Sequence, residues 1–409
     1  MEKVLNKFLR YVKIDTTSDE NSASFPSTEK QKTLSRLLCA ELLALGLEAE
    51  TDNYGYVYAT IPSNASHLTH TLGFIAHVDT SPAVSGSDVK PQVVAYKGGN
   101  IVINNKKDIV LSNVEYPELN DYVGQSLVTS DGTTLLGADD KAGVAEIMAM
   151  AEYLVENPNV KHGVIKIAFT PDEEVGAGVD KFDVKKFGAD FAYTLDGGKL
   201  GEIEYENFNA ASAKLQINGT SIHPGTAKGK MKNAIELAME FFGHLPKYEN
   251  PAYTEGYEGF YLLNNISGSV ESAQCEYIIR DHDIDKFKSK CEFFTNIAVE
   301  LNKKYGLNTF EVILREQYLN MREKILPHFH LIDNAELAMK LNGVLPIIQP
   351  IRGGTDGARL SFMGLPCPNL STGGHNFHGR FEYIPVESME AMVQVALTLV
   401  KLYSDFQIK

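Results

Sequence analysis

An α/β protein with a mostly parallel central sheet, interrupted by a smaller α+β unit, is the fold class this sequence predicts. Three observations carry that expectation. Short apolar runs at 56–61, 72–76, 164–169 and 191–195 alternate with helix-length apolar stripes, the rhythm of strands and helices layered on a parallel sheet. Near residue 207 the rhythm changes to a half-exposed alternation over 211–217, followed by helix, two strands, a long helix and a strand. That β-α-β-β-α-β order is the ferredoxin-like split arrangement. Finally, 409 residues are too many for one small core and suit two domains. The expected division is 1–207 with 317–409 as one discontinuous domain, and 208–316 as an insertion.

The elements follow from local pattern. Val4, Leu5, Phe8, Leu9 and Val12 form a helical stripe over 2–13. A second helix is expected from Thr28, which forms a capping box with Gln31, to Gly46, a good terminating residue. Strands follow at 56–61 and 72–76, then a long irregular or β-rich stretch over 81–135 to which no role is assigned. The apolar run 142–155 reads as a helix packed on a sheet, with buried strands at 164–169 and 191–195. In the insertion, helices are expected at 231–245 and 283–305 and strands at 259–267, 273–280 and 310–317. Beyond it come a helix near 328–342, a Gly-rich turn at 353–357, a strand at 366–371 and a terminal helix from Glu387 to about Phe406.

Composition narrows the function classes. Apolar residues make up 44 % and charged residues 22 %, as in ordinary globular proteins. A formal net charge of −15 argues against nucleic acid and against an anionic membrane as partner. Four cysteines lie scattered without CxxC spacing, so neither a disulfide framework nor a thiolate zinc site is suggested. The start lacks a signal-peptide h-region and no run reaches membrane-spanning length, so a cytoplasmic location is expected.

The chemistry-bearing residues gather where strands run into loops. Thr170-Pro-Asp-Glu-Glu-Val-Gly176 places three adjacent carboxylates at a strand end, where they repel one another unless something positive sits among them. His77-Val-Asp79 ends another strand, and a ligating imidazole commonly gives its second N–H to a carboxylate. Gly137-Ala-Asp-Asp-Lys-Ala-Gly143 precedes a helix, Asp196-Gly-Gly198 ends a strand, and Gly373-Gly-His375-Asn-Phe-His378 follows the strand 366–371. Taken together, His77, Asp79, Asp139, Glu173, Glu174, Asp196 and His378 all fall at such exits. Two histidines, two aspartates and one glutamate suit two zinc ions bridged by a carboxylate. One glutamate of the pair then binds metal while the other is free to move a proton.

The motifs HVD, GADDKAG, TPDEEVG, LDGG, SIHPG, RGGTDGA and GGHNFHGRFEY, in this order, resemble the M20 family of dizinc exopeptidases from end to end of the chain. The resemblance implies a zinc-exopeptidase-like catalytic domain with an inserted lid and dimerisation domain. It implies His77 and Asp196 on one zinc, Glu174 and His378 on the other, and Asp139, rather than Asp140, between them. Asp79 would orient His77, and Glu173 would be the general base. His378 rather than His375 is selected because Glu382 follows it by four positions. His223 of SIHPG would stabilise the oxyanion, commonly in the other subunit's site, which implies a homodimer formed through the insertion. Arg280 and Arg352 are candidates for gripping a peptide carboxylate. The expected activity is release of the N-terminal residue from tripeptides, with cobalt or manganese as substitutes for zinc. A dipeptidase, a carboxypeptidase or an N-acyl amino-acid hydrolase would use the same centre, and a non-catalytic peptide- or metal-binding protein is the rival from another class. The intact Glu173 and full ligand set speak against the last.

Overall fold

The computed structural model describes residues 3–65 and 70–404. The chain divides into two compact units, one formed by Met1–Tyr205, Glu323–Gln349 and Thr355–Lys409, the other by Glu206–Arg322 and Pro350–Gly354.

The first unit is organised on an eight-stranded sheet. Across it run Glu48–Thr51, Val57–Ile61, Val164–Thr170, Thr71–His77, Phe191–Gly197, Asn369–Ser371, Glu202–Glu204 and Ile347–Ile348. The four strands from Val164–Thr170 to Asn369–Ser371 are mutually parallel. Their carboxyl ends therefore open on one edge, where open α/β sheets place their sites. The apolar runs are continuous because these strands are covered on both faces. The helix Ala138–Glu156 packs on Thr71–His77 and Phe191–Gly197, and against the helices Val4–Tyr11 and Val386–Ser404. Its apolar residues run almost all the way round, as burial from several sides requires. A separate core joins Tyr56, Tyr58, Ile75, Phe182 and Phe187.

The stretch 81–135 is β-rich, as expected. Gln92–Ala95 and Ser126–Thr129 form a three-stranded sheet with Tyr383–Pro385, and Ile101–Asn104 pairs with Ile109–Leu111. Its core ends on Tyr383, next to the C-terminal run of motifs.

Three local expectations are corrected, and a fourth is tested only in part. The second helix begins at Gln31 rather than Thr28, because the Gln31 side-chain amide is drawn into a buried pairing with Asp172. A helix, Asp356–Phe362, starts inside the expected Gly-rich turn. The strand expected at 366–371 is confined to Asn369–Ser371. The terminal helix runs over Val386–Ser404, and its expected end near Phe406 lies outside the described residues.

The second unit carries one antiparallel sheet ordered Phe260–Gly268, Ser272–Asp281, Asn209–Asn218, Phe310–Tyr318. The helices Ala234–Gly243 and Ile284–Tyr305 cover it through Leu237, Phe241, Phe294, Ile297 and Leu301. Asp283 caps the longer helix by accepting the N–H groups of Asp285 and Lys286. Pro350–Gly354 groups here because the Arg352 guanidinium donates to the carbonyls of Thr254, Gly256 and Glu258. The four cysteines are free thiols. Among the described residues no helix is long and apolar enough to cross a membrane.

Candidate metal centre

His77 ends its strand, and Asp79 lies just beyond it. The two therefore do not share a face by strand alternation. Asp79 is fully buried, with an oxygen 3.3 Å from His77 Nδ1. Its two carboxylate oxygens also accept the backbone N–H groups of Glu173 and Glu174 at 3.0 and 3.2 Å. One aspartate thus ties two motif loops together. The Asp79 carbonyl lies 3.1 Å from His77 Nδ1. With acceptors on that side, Nδ1 carries the proton, and Nε2 is the atom left to face the centre.

Nε2 of His77 lies 2.9 Å from Asp139 Oδ1 and 3.3 Å from Asp196 Oδ1. Nε2 of His378 lies 3.1 Å from Asp139 Oδ2 and 3.0 Å from Glu174 Oε2. Asp139 therefore turns one oxygen to each histidine. The donor atoms of His77, Asp139 and Asp196, and of Asp139, Glu174 and His378, form two sets, each within 4.8 Å of one another. A lone pair on Nε2 would face carboxylate oxygens, so a cation, either a proton or a metal ion, must lie between them. Glu174 Oε1 is buried with no hydrogen-bond partner, an orphaned acceptor of the kind a metal satisfies. The donors fit two ions sharing one carboxylate.

Backbone conformation sets this geometry. Asp139 and Asp140 are non-helical, and the helix proper begins after them. Asp140 then caps it, accepting Gly143 N–H at 3.2 Å with one oxygen and His77 N–H at 3.1 Å with the other. It holds the strand end while its neighbour faces the centre. Gly143 is required by close approach: a Cβ there would sit 2.0 Å from the Leu195 carbonyl oxygen. Gly143→Ala should lower stability by about 1–3 kcal/mol or more, read as a lower urea midpoint; an unchanged midpoint would contradict this packing.

Asp172 and His378 both take left-handed backbone conformations, φ 58° and 61°, which neighbours must hold in place. For Asp172 the holders are Ser27, whose N–H donates at 2.6 Å and hydroxyl at 2.5 Å, and Gln31, whose amide donates at 2.6 Å. Asp172, the carboxylate without an assigned role in the sequence, fixes the turn that presents Glu173 and Glu174. The capping-box match at Thr28 and Gln31 hid this partner. His375 is bonded to Tyr122 at 2.7 Å and stacked on Tyr383, and burial pushes its pKa down to about 4. It braces the loop that carries His378, which gives 81–135 a place beside the centre.

Burial and the crowding of like charges shift the acid groups of this site. Burial pushes Glu174 up to about 7 and Asp196 up to about 6. Burial, and then the charge of Asp196, lift Glu173 well above the carboxylate range. Hydrogen bonds to Asp139 and Glu174 raise His378 to about 11. For His77, burial works downward but the carboxylates outweigh it, and the imidazole stays protonated well above its usual value. Below these raised values each imidazole carries a proton that a metal must displace, so metal binding releases protons and tightens as pH rises. Near neutral pH, zinc added to metal-free protein in dilute buffer should release roughly one proton or more per ion, measured with a pH indicator. No release would show the imidazoles to be already neutral.

The remaining expected residues lie in the second unit. His223 is exposed at the start of a short turn, its Nδ1 accepting Gly225 N–H at 3.2 Å. Arg280 donates to the Arg352 carbonyl at 3.2 Å and lies 5.9 Å from the ring centres of Phe260 and Tyr318. Its Nε is buried without a partner. Asp281 accepts Asp283 N–H and lies 3.9 Å from Lys290. Arg352 is committed to the turn around Thr254–Glu258.

Residues 205–306 match the peptidase dimerisation domain of M20 enzymes. In fold the chain is similar to a tripeptidase from Staphylococcus aureus, with TM-score 0.79 and 22 % identity over 99 % of this chain and 98 % of that one. It is likewise similar to a dinuclear metal-binding peptidase of the M20 family from Bacillus subtilis, with TM-score 0.66 and 14 % identity over 98 % of each chain. The chain thus has the fold of M20 peptidases, with two donor sets that could each hold a metal ion. The sequence is 58 % identical to peptidase T of Alkaliphilus oremlandii, over 99 % of this chain and 100 % of that protein. The chain belongs to the peptidase T family.

Proposed function

We propose that this enzyme is a zinc-dependent tripeptide aminopeptidase that releases the N-terminal residue of small peptides. The observation that carries the reading is the shared Asp139 carboxylate, with one oxygen for each histidine-containing donor set. Membership of the peptidase T family supports peptide hydrolysis from the N-terminus. His77, Asp139 and Asp196 would hold one ion, and Asp139, Glu174 and His378 the other. When bound, the ions would supply Lewis-acid polarisation of the scissile carbonyl and a lowered pKa for the attacking water. Zinc suits these ligands, and cobalt or manganese would substitute.

The chain's own groups do the rest. Glu173 takes the proton of the attacking water and delivers it to the leaving amine, the two-way transfer that a positioned carboxylate can make. Asp79 fixes His77 and, through two backbone N–H groups, the segment that carries Glu173 and Glu174. His223, with an exposed imidazole, is assigned the oxyanion. Arg280 keeps an unpartnered donor for the peptide carboxylate, whereas Arg352 positions Arg280 through its carbonyl. The dimerisation-domain match supports a homodimer formed through the inserted unit. Free thiols fit a reducing cytoplasm.

A panel of di-, tri- and tetrapeptides with free and blocked termini tests the reading. Release of the first residue from free tripeptides is expected, stopped by a chelator and restored by zinc. Preferred cleavage of dipeptides, or of the C-terminal residue, would overturn it.

A further inference from the structure

We propose that Glu382 is a positioning residue for the dinuclear centre, locking the Asp139 loop to the His378 loop so that one carboxylate reaches both imidazoles. The proposal rests on the dinuclear reading above. Glu382 is 1 % exposed. Its Oε2 accepts the N–H groups of Leu136 at 2.7 Å and Gly137 at 2.8 Å, and its Oε1 accepts that of Asp139 at 3.1 Å. These three N–H groups lie in the turn entering the helix Ala138–Glu156, where Gly137 is left-handed at φ 84°. Such a run of N–H groups forms a concavity that takes an anion.

The other end of the lock is covalent. Glu382 lies four residues after His378, and the intervening turn is closed by paired backbone bonds between His375 and Tyr383 at 2.9 and 3.1 Å. Its carboxylate therefore has a fixed place relative to the His378 loop. Asp139 must keep Oδ1 2.9 Å from His77 and Oδ2 3.1 Å from His378. A shift of either loop would favour one imidazole at the expense of the other. A merely structural contact would be served by any acceptor here, whereas three N–H groups shared by one carboxylate set the backbone of Asp139 itself. Groups of this kind behind metal ligands are typically worth about 10–100-fold in metal affinity.

The test compares the parent enzyme with Glu382→Gln and His378→Ala. Glutamine keeps an acceptor for two of the N–H groups but turns an amide donor toward the third. Each protein is stripped with chelator and titrated with cobalt, following the visible absorption of bound Co2+, and with zinc by equilibrium dialysis and elemental analysis. Glu382→Gln should keep a Tm close to the parent's and bind its second equivalent about 10–100-fold more weakly. Its cobalt spectrum should be altered, and kcat should fall while KM holds. His378→Ala should bind one equivalent. Should the Gln variant not fold, Glu382→Asp replaces it, with the same direction expected. Parent-like affinities and spectrum in Glu382→Gln would overturn the proposal, as would failure of both variants to fold, which would leave Glu382 a framework residue only. Two retained equivalents in His378→Ala would instead overturn the assignment of His378 as a ligand, and a single equivalent in the parent would overturn the dinuclear reading itself.

Discussion

Glu173→Gln should keep its metals and its fold while losing roughly 10²–10⁴-fold in tripeptide turnover, the usual worth of a general base. The side chain is almost unchanged in size, and its backbone N–H still donates to Asp79. What disappears is the site that takes a proton and gives it back. The raised pKa of Glu173 adds a pH signature. In the parent, turnover requires the deprotonated carboxylate and so falls as pH drops through that group; the residual activity of the variant should not follow this limb. Product analysis on one tripeptide between mildly acidic and mildly alkaline pH, beside elemental analysis, gives the answer. Turnover within a few-fold of the parent would remove Glu173 from the mechanism.

Asp139→Asn should empty both metal positions together. An amide offers one acceptor oxygen and no charge, whereas the aspartate serves His77 with one oxygen and His378 with the other. Loss of a supporting partner typically costs about 10–100-fold in affinity, and loss of a shared ligand should exceed that at both positions. His378→Ala, by contrast, removes a ligand from one set only. Dialysis against zinc at a concentration that saturates the parent separates the cases. Retention of one full equivalent in Asp139→Asn would show that the carboxylate belongs to a single ion.

Much of this architecture was legible because strand ends and motifs coincide. A run such as 164–169 followed by Thr-Pro-Asp-Glu-Glu identifies both the strand and the edge to which its carboxylates belong. The inserted fold was legible from the change of period at 211–217. What stayed hidden is what each polar group bonds to across great sequence distance. Asp172 finds Gln31 from 141 residues away, and Glu382 finds Asp139 across 243. Local pattern carries no trace of such partners: Gln31 looked like half of a capping box because spacing alone cannot say where an amide turns. Arg280 and Arg352 looked equivalent for the same reason. Their difference lies in the carbonyls of residues 254–258, which satisfy one guanidinium and leave the other with a bare Nε.

The order in which the donors leave the ribosome follows from the parallel sheet described above. His77, Asp139, Glu174 and Asp196 are all synthesised before the inserted unit, whereas His378 and Glu382 come after it. The strand that brings them, Asn369–Ser371, takes its place beside Phe191–Gly197 only once nearly all of the chain exists. Because domains fold as units during synthesis, early parts first, a growing chain carries all three donors of one set but lacks His378, the imidazole of the other. The second donor set is thereby completed only in the final stage of translation, after the inserted unit has been made.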